Sequence, residues 1–353
     1  MEKVRLGVIG TGRLGGFHAS KAAANPDVDF IGVYDACEST RKKIASQYDV
    51  RDFSSLDELL PFVDAVIVAT PSIYHAEVGV QILAAGKHLL MEKPVTTTSK
   101  SAQELTRLAD RQGVVFQVGH VEQHNPAWRA AMEHLDDVRK GLEPVMVDAV
   151  RTSGYSFRST DVGATLDLMI HDLELTLSLI PSPVERVSAF GFSQMGGLED
   201  ASYATLTFEN GSVARLKASR IEQSVTRQMT VQAANKTVHI DFGARTAQLV
   251  RPKKEILEGA FAPNAVTLDE MAPRISSFMK DEYETINLVH EPFDALSLEM
   301  QNFVSAILHG QESVVPGKRA ALAVTIAEEI IRDLEMRSRR NVAGERRSLR
   351  IAG

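Results

Sequence analysis

The spacing of apolar and polar residues divides the chain into two parts. Up to about residue 120, short and nearly continuous apolar runs alternate with amphipathic stretches of helical period. The predicted strands are the run from Val4 to Ile9 and residues 30–34, 64–70, 87–91 and 114–118, and the predicted helices are residues 39–48, 56–61, 73–85 and 99–112 and a stretch through Leu14, Phe17 and Ala22. Strands of this kind are buried on both faces, which is typical of a parallel sheet covered by helices on each side.

After residue 120 the pattern changes to longer runs with strand character. The predicted elements are a helix at 126–140, strands at 144–152, 184–193, 201–208, 213–221, 226–233 and 237–241, and two closing helices at 293–309 and 317–337. Asn210-Gly211 between two of the strands is a strong hairpin signal. We therefore expect an antiparallel or mixed sheet that forms a second domain. Residues 251–283 are charged, contain three prolines and predict a long irregular excursion.

The first predicted strand leads into Gly10-x-Gly12-x-x-Gly15 and then into a helix. In this arrangement the first glycine allows a tight turn, the second lets the backbone approach a pyrophosphate, and the third lets helix and strand pack closely. The free N–H groups of the helix N-terminus, around Arg13 and Leu14, would face the phosphates. Because a strand precedes the motif and a helix follows it, the sequence predicts a dinucleotide site; the alternative is a glycine-rich turn in another kind of α/β protein.

Asp35 ends the second predicted strand, where a carboxylate can accept hydrogen bonds from both hydroxyls of a ribose. Its negative charge would repel a 2′-phosphate, and Ala36 and Cys37 follow it in place of an arginine. These residues favour NAD as the cofactor. Arg41 lies one to two helical turns further on and leaves NADP as the alternative.

Composition narrows the class of protein. The chain has 353 residues, enough for two domains, and its 44% hydrophobic and 24% charged residues are typical of globular proteins. A net charge of −7 argues against nucleic acid as the main partner, and no apolar run approaches the length of a membrane span. The single cysteine, Cys37, cannot form an internal disulfide, and a strand that begins at Val4 leaves no room for a signal peptide, so we expect a cytoplasmic protein.

Two segments carry candidate catalytic side chains. Glu92-Lys93-Pro94 follows a buried strand directly, and an ammonium group at that edge can stabilise developing alkoxide charge. Asp167 and His171 lie four residues apart on the helix predicted before Pro181. The carboxylate is therefore expected to favour the imidazolium and to orient the ring of a general base. The alternatives are a surface lysine and an ordinary helix face with a His–Asp pair.

Further polar residues lie at the ends of predicted strands and at the junction of the two parts, where a cleft is expected. His75 is as consistent with a structural role as with the cofactor site, and Arg158, with Tyr155 nearby, is either an anion clamp or an exposed loop arginine. The candidate cofactor-binding residues are Gly10, Gly12, Arg13, Leu14, Asp35, Thr70, Pro71, His75, Glu92 and Lys93, and the candidate substrate-binding residues are His120, Glu122, Asn125 and Arg158.

Together these motifs resemble the glucose–fructose oxidoreductase / inositol dehydrogenase family over nearly the whole chain. The resemblance rests on the glycine motif, Asp35, Thr70-Pro71-x-x-x-His75, Glu92-Lys93-Pro94, Asp167-x-x-x-His171, and Glu291-Pro292, Glu299, Phe303 and Pro316 near the C-terminus. It implies an α/β fold with an N-terminal Rossmann dinucleotide-binding domain, residues 1–120. It also implies a C-terminal α/β domain, residues 121–353, whose large, open, mostly antiparallel sheet often builds an oligomer interface.

The resemblance implies that Lys93 and His171 are catalytic and that Asp167 assists them. We therefore expect an NAD-dependent oxidoreductase, with NADP as the alternative cofactor, that transfers a hydride from a secondary alcohol of a sugar, nucleotide sugar or cyclitol to the nicotinamide. A homo-oligomer, dimer or tetramer, is expected. Two other functions stay open: an NAD-dependent glycosidase on the same fold, and a non-catalytic NAD-binding regulator.

A narrower resemblance concerns residues 119–126, which read Gly-His-Val-Glu-Gln-His-Asn-Pro. With Arg158 and residues 167–172, this segment is similar to family members that oxidise the 3-hydroxyl of UDP-linked N-acetylglucosamine. Those members usually carry arginine and an aromatic residue where this chain has Gln123 and His124.

Overall fold

The computed structural model of the protein describes residues 3–157, 160–259, 266–289, 291 and 293–351. The strands are β1 (Val4–Ile9), β2 (Val28–Tyr34), β3 (Arg51–Phe53), β4 (Ala65–Val68), β5 (His88–Glu92), β6 (Phe116–Gly119), β7 (Met146–Thr152), β8 (Val184–Phe192), β9 (Ala201–Phe208), β10 (Val213–Ser219), β11 (Thr226–Ala233), β12 (Lys236–Asp241), β13 (Thr246–Pro252) and β14 (Tyr283–Leu288). The α-helices are α1 (Arg13–Ala24), α2 (Glu38–Tyr48), α3 (Leu56–Leu59), α4 (His75–Ala84), α5 (Ser99–Gln112), α6 (Pro126–Met132), α7 (Asp136–Arg139), α8 (Ile170–Leu179), α9 (Lys254–Leu257), α10 (Leu268–Glu282), α11 (Ala295–His309) and α12 (Gly317–Ile351). Short 3₁₀ turns at Leu60–Phe62, Ser72–Tyr74 and Val121–His124 and a π-helical turn at Thr165–Met169 complete the order.

Strands β1 to β6 form a parallel sheet in the order β3-β2-β1-β4-β5-β6. All residues of β4 are buried, as the apolar run predicted. Because the strands are parallel, their carboxyl ends share one edge, and Gly10, Asp35, Thr70, Lys93 and His120 each follow a strand there. The predicted parallel sheet is confirmed, and its ligand-binding edge carries most of the candidate residues.

Strands β7 to β14 form the second sheet, in the order β14-β13-β12-β11-β7-β10-β9-β8. Its pairs are antiparallel except for β7 and β10, which run parallel. The turn between β9 and β10 contains Gly211 at φ +84°, a conformation that favours glycine, so the predicted hairpin is confirmed. The expectation of a large, mostly antiparallel sheet is also confirmed.

Helix α12 joins the two sheets. It packs against α5, which covers the first sheet, and against α8 and β8 of the second. Its apolar residues Ala323, Ala327 and Ile330 are fully buried and belong to one hydrophobic core with residues of both sheets. The carboxyl edge of the first sheet is thereby held opposite the start of α8. The division into two domains near residue 120 stays a prediction.

Two predicted elements were wrong. Residues 126–140 do not form one helix: α6 ends at Met132 and α7 begins at Asp136, because the turn between them buries Leu135 completely. Residues 251–283 are not an irregular excursion in their described part. They contain the end of β13, α9 and α10, followed by β14, and the charges and prolines of this stretch concealed these elements.

Within the described ranges, no helix combines the length and apolar character needed to cross a membrane.

Candidate functional site

The glycine motif forms a cradle at the end of β1. Gly10 has φ +82°, and a Cβ there would lie 2.7 Å from the backbone of Ala69, while a Cβ on Gly15 would lie 1.6 Å from the carbonyl oxygen of Gly10. A Cβ on Gly12, in contrast, would meet nothing within 4 Å. Arg13 and Leu14 begin α1, and no side chain caps its N-terminus. The open space beside Gly12 and the uncapped N–H groups fit a pyrophosphate.

Asp35 lies beside this cradle, as predicted. Its Oδ2 accepts hydrogen bonds from the backbone N–H of Thr11 at 2.5 Å and from the Thr11 hydroxyl at 3.0 Å, and its Oδ1 accepts one from the N–H of Cys37. These bonds fix the carboxylate, and Oδ1, which accepts one of them, keeps lone-pair capacity for a ribose hydroxyl. Arg41 donates to the backbone carbonyl of Asp35 and lies 3.5 Å from the carboxylate of Asp52, so its guanidinium is held behind the strand end.

His75 braces the two loops that follow β4 and β5. It is buried, and its Nδ1 lies 2.8 Å from the carbonyl oxygen of Pro94 and its Nε2 2.9 Å from that of Thr70. Pro94 follows a cis peptide bond with Lys93, and Pro71 precedes the turn that leads into α4. Of the two roles left open for His75, these contacts favour the structural one: it holds Thr70 and Lys93 in place along the edge.

Glu92 is buried below Lys93. Its Oε1 lies 2.6 Å from Nε2 of His18 on α1, and its Oε2 accepts the backbone N–H of Lys93 at 3.3 Å. Glu299 of α11 is fully buried beside this pair, and neither of its carboxylate oxygens has a hydrogen-bond partner in the described structure. Burial, reinforced by the charge of Glu92, holds the pKa of Glu299 well above its usual range. Glu92 thus supports the lysine loop and does not itself face the open edge.

Lys93 crosses from the first sheet to the π-helical turn before α8. Its ammonium donates to the backbone carbonyl of Asp167 at 2.7 Å and to the Asp167 carboxylate at 3.0 Å. Both side chains are about one fifth exposed, so the pair lies at a solvent-accessible position. An ammonium has three N–H donors, and this arrangement leaves one of them for a ligand.

The predicted pairing of Asp167 with His171 was wrong. The turn at Thr165–Met169 is π-helical, with a wider hydrogen-bonding ring than an α-helix, so the four-residue spacing does not align the two side chains. Asp167 pairs with Lys93, and Nδ1 of His171 is buried without a partner among the described residues. Burial and the positive charge of Lys93 hold the pKa of His171 well below its usual range, so the ring is neutral and not the imidazolium we expected.

His120 lies at the same place. Its ring is perpendicular to that of His171, with 5.9 Å between the ring centroids. It is buried, neither ring nitrogen has a partner in the described part of the chain, and burial lowers its pKa to about 3. We call the space bounded by Lys93, His120, Asp167 and His171 the catalytic crevice, after the catalytic roles predicted for Lys93 and His171.

Arg151 on β7 holds the far wall of the catalytic crevice. Its guanidinium forms a bidentate pair with Asp172 and bonds Oε1 of Glu122 at 2.9 Å, and all three side chains are buried. Glu122 Oε2 accepts from Asn125, whose amide also donates to the carbonyl of Phe242 and accepts the N–H of Ala127. The polar atoms of Glu122 and Asn125 are hydrogen-bonded within this network, and their contacts with a substrate stay a prediction. Asp172 has a structural role here, because both of its carboxylate oxygens accept hydrogen bonds from Arg151.

Gln123 and His124 point away from the catalytic crevice. Gln123 bonds Glu174, Ser178 and the indole N–H of Trp128. With Arg129 and Arg139, among others, it lines a separate cleft of about 870 Å³, whose lining contains none of the residues of the catalytic crevice. Arg158 lies outside the described residues.

Sequence reasoning missed two arginines that lie close to the candidate residues, Arg151 and Arg227. Arg151, Glu122 and Asp172 come from three segments, and nothing local marks them as partners. Arg227 on β11 was also missed, although its charge contributes to the low pKa of His171. The alternation of polar and apolar residues along β11 was the available signal for its position.

Two family models match the chain. Residues 4–120 match the oxidoreductase family with the NAD-binding Rossmann fold, and residues 144–239 match the GFO/IDH/MocA C-terminal domain. The UDP-N-acetylglucosamine 3-dehydrogenase of Acidithiobacillus ferrooxidans is 32% identical over 93% of this chain and 98% of its own length. A solved structure of that enzyme, GnnA, superposes with a TM-score of 0.81 at 28% identity, covering 95% of this chain and 99% of the other.

A second relative is the NAD-dependent scyllo-inositol 2-dehydrogenase of Bacillus subtilis, which is 25% identical over 89% of both chains. The Rossmann match agrees with the cradle at Gly10, Gly12 and Gly15, which fits a dinucleotide. The chain therefore belongs to the GFO/IDH/MocA family of oxidoreductases, with NAD as its cofactor.

Proposed function

We propose that this enzyme oxidises the 3-hydroxyl of UDP-N-acetylglucosamine, or of a closely similar nucleotide sugar, with NAD as the hydride acceptor. The observation that carries the proposal is the full-length similarity to an enzyme of that name, at 32% identity over 98% of the relative. The residues that distinguish this chain from the narrower group, Gln123 and His124, line a separate cleft whose lining does not contain Lys93, His120, Asp167 or His171.

Alcohol oxidation here uses three side chains with separate roles, those of Lys93, Asp167 and His171. Bound NAD supplies the hydride acceptor, held along the edge by the glycine cradle and Asp35. His171, which is neutral because of burial and the nearby Lys93, takes the proton of the substrate hydroxyl. The remaining N–H of Lys93 stabilises the alkoxide, and Asp167 fixes the direction of the ammonium group. Asp167 therefore assists the reaction through Lys93 and not through His171.

His120 excludes water from the base. Its buried ring packs edge-on against His171, and its low pKa keeps it neutral beside Lys93, Arg319 and Arg151. A water-poor surrounding strengthens the interaction between Lys93 and a developing negative charge.

The test is formation of NADH at 340 nm with a panel of UDP-N-acetylglucosamine, free N-acetylglucosamine, glucose 6-phosphate and inositols. We expect the nucleotide sugar to be oxidised with the highest kcat/KM and its product to be the 3-keto sugar by mass spectrometry. Faster oxidation of an inositol or a free sugar would refute the substrate. Release of a free sugar without net NADH would refute oxidation as the overall reaction and favour the glycosidase.

We also propose a cytoplasmic homo-oligomer that assembles through the open face of the second sheet. Phe190 and Phe192 on β8 and Tyr203 on β9 are exposed there, and Phe190 and Tyr203 are cross-strand partners. Exposed aromatic clusters of this kind are typical of interfaces. Sedimentation equilibrium should give a dimer or tetramer, and Phe190→Glu should shift it toward the monomer.

A further inference from the structure

The described residues of the loop between β7 and the π-helical turn, 153–157 and 160–162, lie next to the catalytic crevice at both ends. Its first end follows Arg151, which holds Asp172 beside His171. At its other end, Arg220 donates to the carbonyl of Val162, shortly before Asp167. The negative charge of Asp161 partly offsets the lowering of the pKa of His75 by burial, so this end lies near the cofactor edge. The described residues of the loop therefore border the entrance of the crevice.

Two aromatic rings stand on this loop. Phe157 is 82% exposed, more than any other aromatic side chain in the described residues, and it has a positive φ of 55°. A bulky residue in that region of backbone space is rare and is found where function requires a particular direction of the side chain. Tyr155 packs edge-to-face against it at 5.1 Å, and the guanidinium of Arg220 lies 5.4 Å from the Tyr155 ring. Tyr155 is thus fixed from one side, and the face of Phe157 is open to a ligand.

A further cation, Arg227, lies near the catalytic base and near the start of this loop, because its neighbour Thr226 pairs with Thr152. Arg227 is the cross-strand partner of Arg151, so both side chains extend on the face of the sheet that α8 covers. Arg227 is exposed at the rim, and its charge acts on His171. Its side chain has no hydrogen-bond or ion-pair partner among the residues that the structure describes. Such a guanidinium is suited to bidentate binding of phosphate oxygens.

We propose that Arg227, Tyr155 and Phe157 form a subsite for the nucleoside diphosphate part of the substrate. Arg227 binds the diphosphate next to the sugar, and the open face of Phe157 stacks on the base. This inference rests on the proposed function, since neither a free sugar nor a cyclitol has a flat aromatic ring or a diphosphate. Base–aromatic stacking contributes about 1–3 kcal/mol per base, enough for this loop to set much of the KM.

The experiment is calorimetric titration of the NAD-loaded enzyme with UDP and with uridine. Phe157→Ala should weaken the binding of both probes by roughly tenfold, whereas Phe157→Trp should retain it because the ring face is kept. Arg227→Met should weaken UDP far more than uridine, and its effect should shrink as the salt concentration rises. With UDP-N-acetylglucosamine as substrate, the loss in Phe157→Ala should appear in KM, with kcat within about twofold of the wild type. The loss in Arg227→Met should appear chiefly in KM, with a smaller change in kcat because its charge also acts on His171.

Leu142→Ala and Arg186→Met are the matched controls, because each removes an exposed side chain of similar chemistry away from the loop. They should leave UDP binding unchanged. Unchanged UDP binding in Phe157→Ala and Arg227→Met would overturn the subsite. The proposed function would still stand in that case if the wild type formed NADH with the nucleotide sugar. UDP binding with the predicted variant effects, but without oxidation of the nucleotide sugar, would support the subsite and refute the proposed reaction.

Discussion

The two walls of the catalytic crevice are held in position by different means. The cofactor wall is made mainly of backbone: the glycine cradle, the N-terminus of α1 and loops braced by His75 through carbonyl oxygens. The opposite wall is made of buried charged side chains, in which Arg151 joins β7 to Glu122 and Asp172. Backbone geometry tolerates changes of most side chains, whereas a buried charge network depends on each member.

Lys93 and His171 lie between these walls. Substitution of either residue should cause the largest loss of activity. Lys93→Met removes the cation that stabilises the alkoxide, and His171→Ala removes the base, so each should lower kcat by about 10²–10⁴-fold. NAD binding, measured by fluorescence titration, should change little because the cradle is untouched. Asp167→Asn should give a smaller loss, since the backbone carbonyl of Asp167 still accepts from Lys93. Normal turnover in both principal variants would refute the roles assigned to them.

Arg151 provides the test of the charge network. Arg151→Met leaves Glu122 and Asp172 as buried carboxylates without their cation, which should lower the free energy of unfolding by about 3–5 kcal/mol. Denaturant unfolding followed by circular dichroism measures the change. Arg215→Met is the matched control, because it breaks an exposed pair with Asp148 and should cost at most about 1 kcal/mol. Equal losses in the two variants would show that burial does not distinguish these pairs.

The same contrast explains what the sequence could predict. Gly10, Gly12, Gly15 and Asp35 belong to one short segment, and strand, turn and helix fix their relative positions locally. The pairing of Lys93 with Asp167, in contrast, joins residues 74 positions apart and depends on how two sheets pack. Asp167 and His171 do not pair at their i, i+4 spacing because a π-helical turn changes the local period.

The strands and hairpins that could be predicted are likewise those whose pattern is local in the sequence. Buried strands such as β4 carry an unmistakable apolar run, and the Asn210-Gly211 hairpin is set by its turn. Strands β13 and β14 were missed because their outer residues are charged and their pairing spans the whole of α10. Edge and near-edge strands with one exposed face carry less of the pattern on which sequence reasoning depends.

Substitution of Asp35 tests how the cofactor wall selects NAD. Asp35→Ala removes the acceptor for the ribose hydroxyls and should weaken NAD by about 10–100-fold, the range for hydrogen bonds to a charged group. The loss of negative charge should weaken NADP much less, so the preference for NAD over NADP should fall. Asp29→Ala, an exposed carboxylate near the other end of β2, should change neither affinity. An unchanged ratio of the two dissociation constants would exclude Asp35 as the residue that selects NAD.

Substitution of Glu299 should have the smallest effect on stability, and this effect should depend on pH. The groups that face it are His18 of α1 and Glu92 of β5, and burial together with the charge of Glu92 raises its pKa in the folded protein. A raised folded pKa means that the native state holds the proton more tightly. Its contribution to stability is therefore complete below about pH 4.5, the unfolded value, and is lost as the pH rises toward the folded pKa. Across this window the wild type loses up to about 1.4 kcal/mol per pH unit.

Glu299→Gln removes this titration and keeps the shape of the side chain, and its amide can donate to Glu92. The variant should therefore gain stability relative to the wild type as the pH rises from 5 to 8, with the difference smallest at the acidic end. Thermal unfolding at several pH values measures it, and Glu104→Gln, on the exposed face of α5, should show no such trend. A difference that does not change with pH would mean that Glu299 is ionised in the folded protein, and that the buried acid next to the lysine loop is paired with a cation.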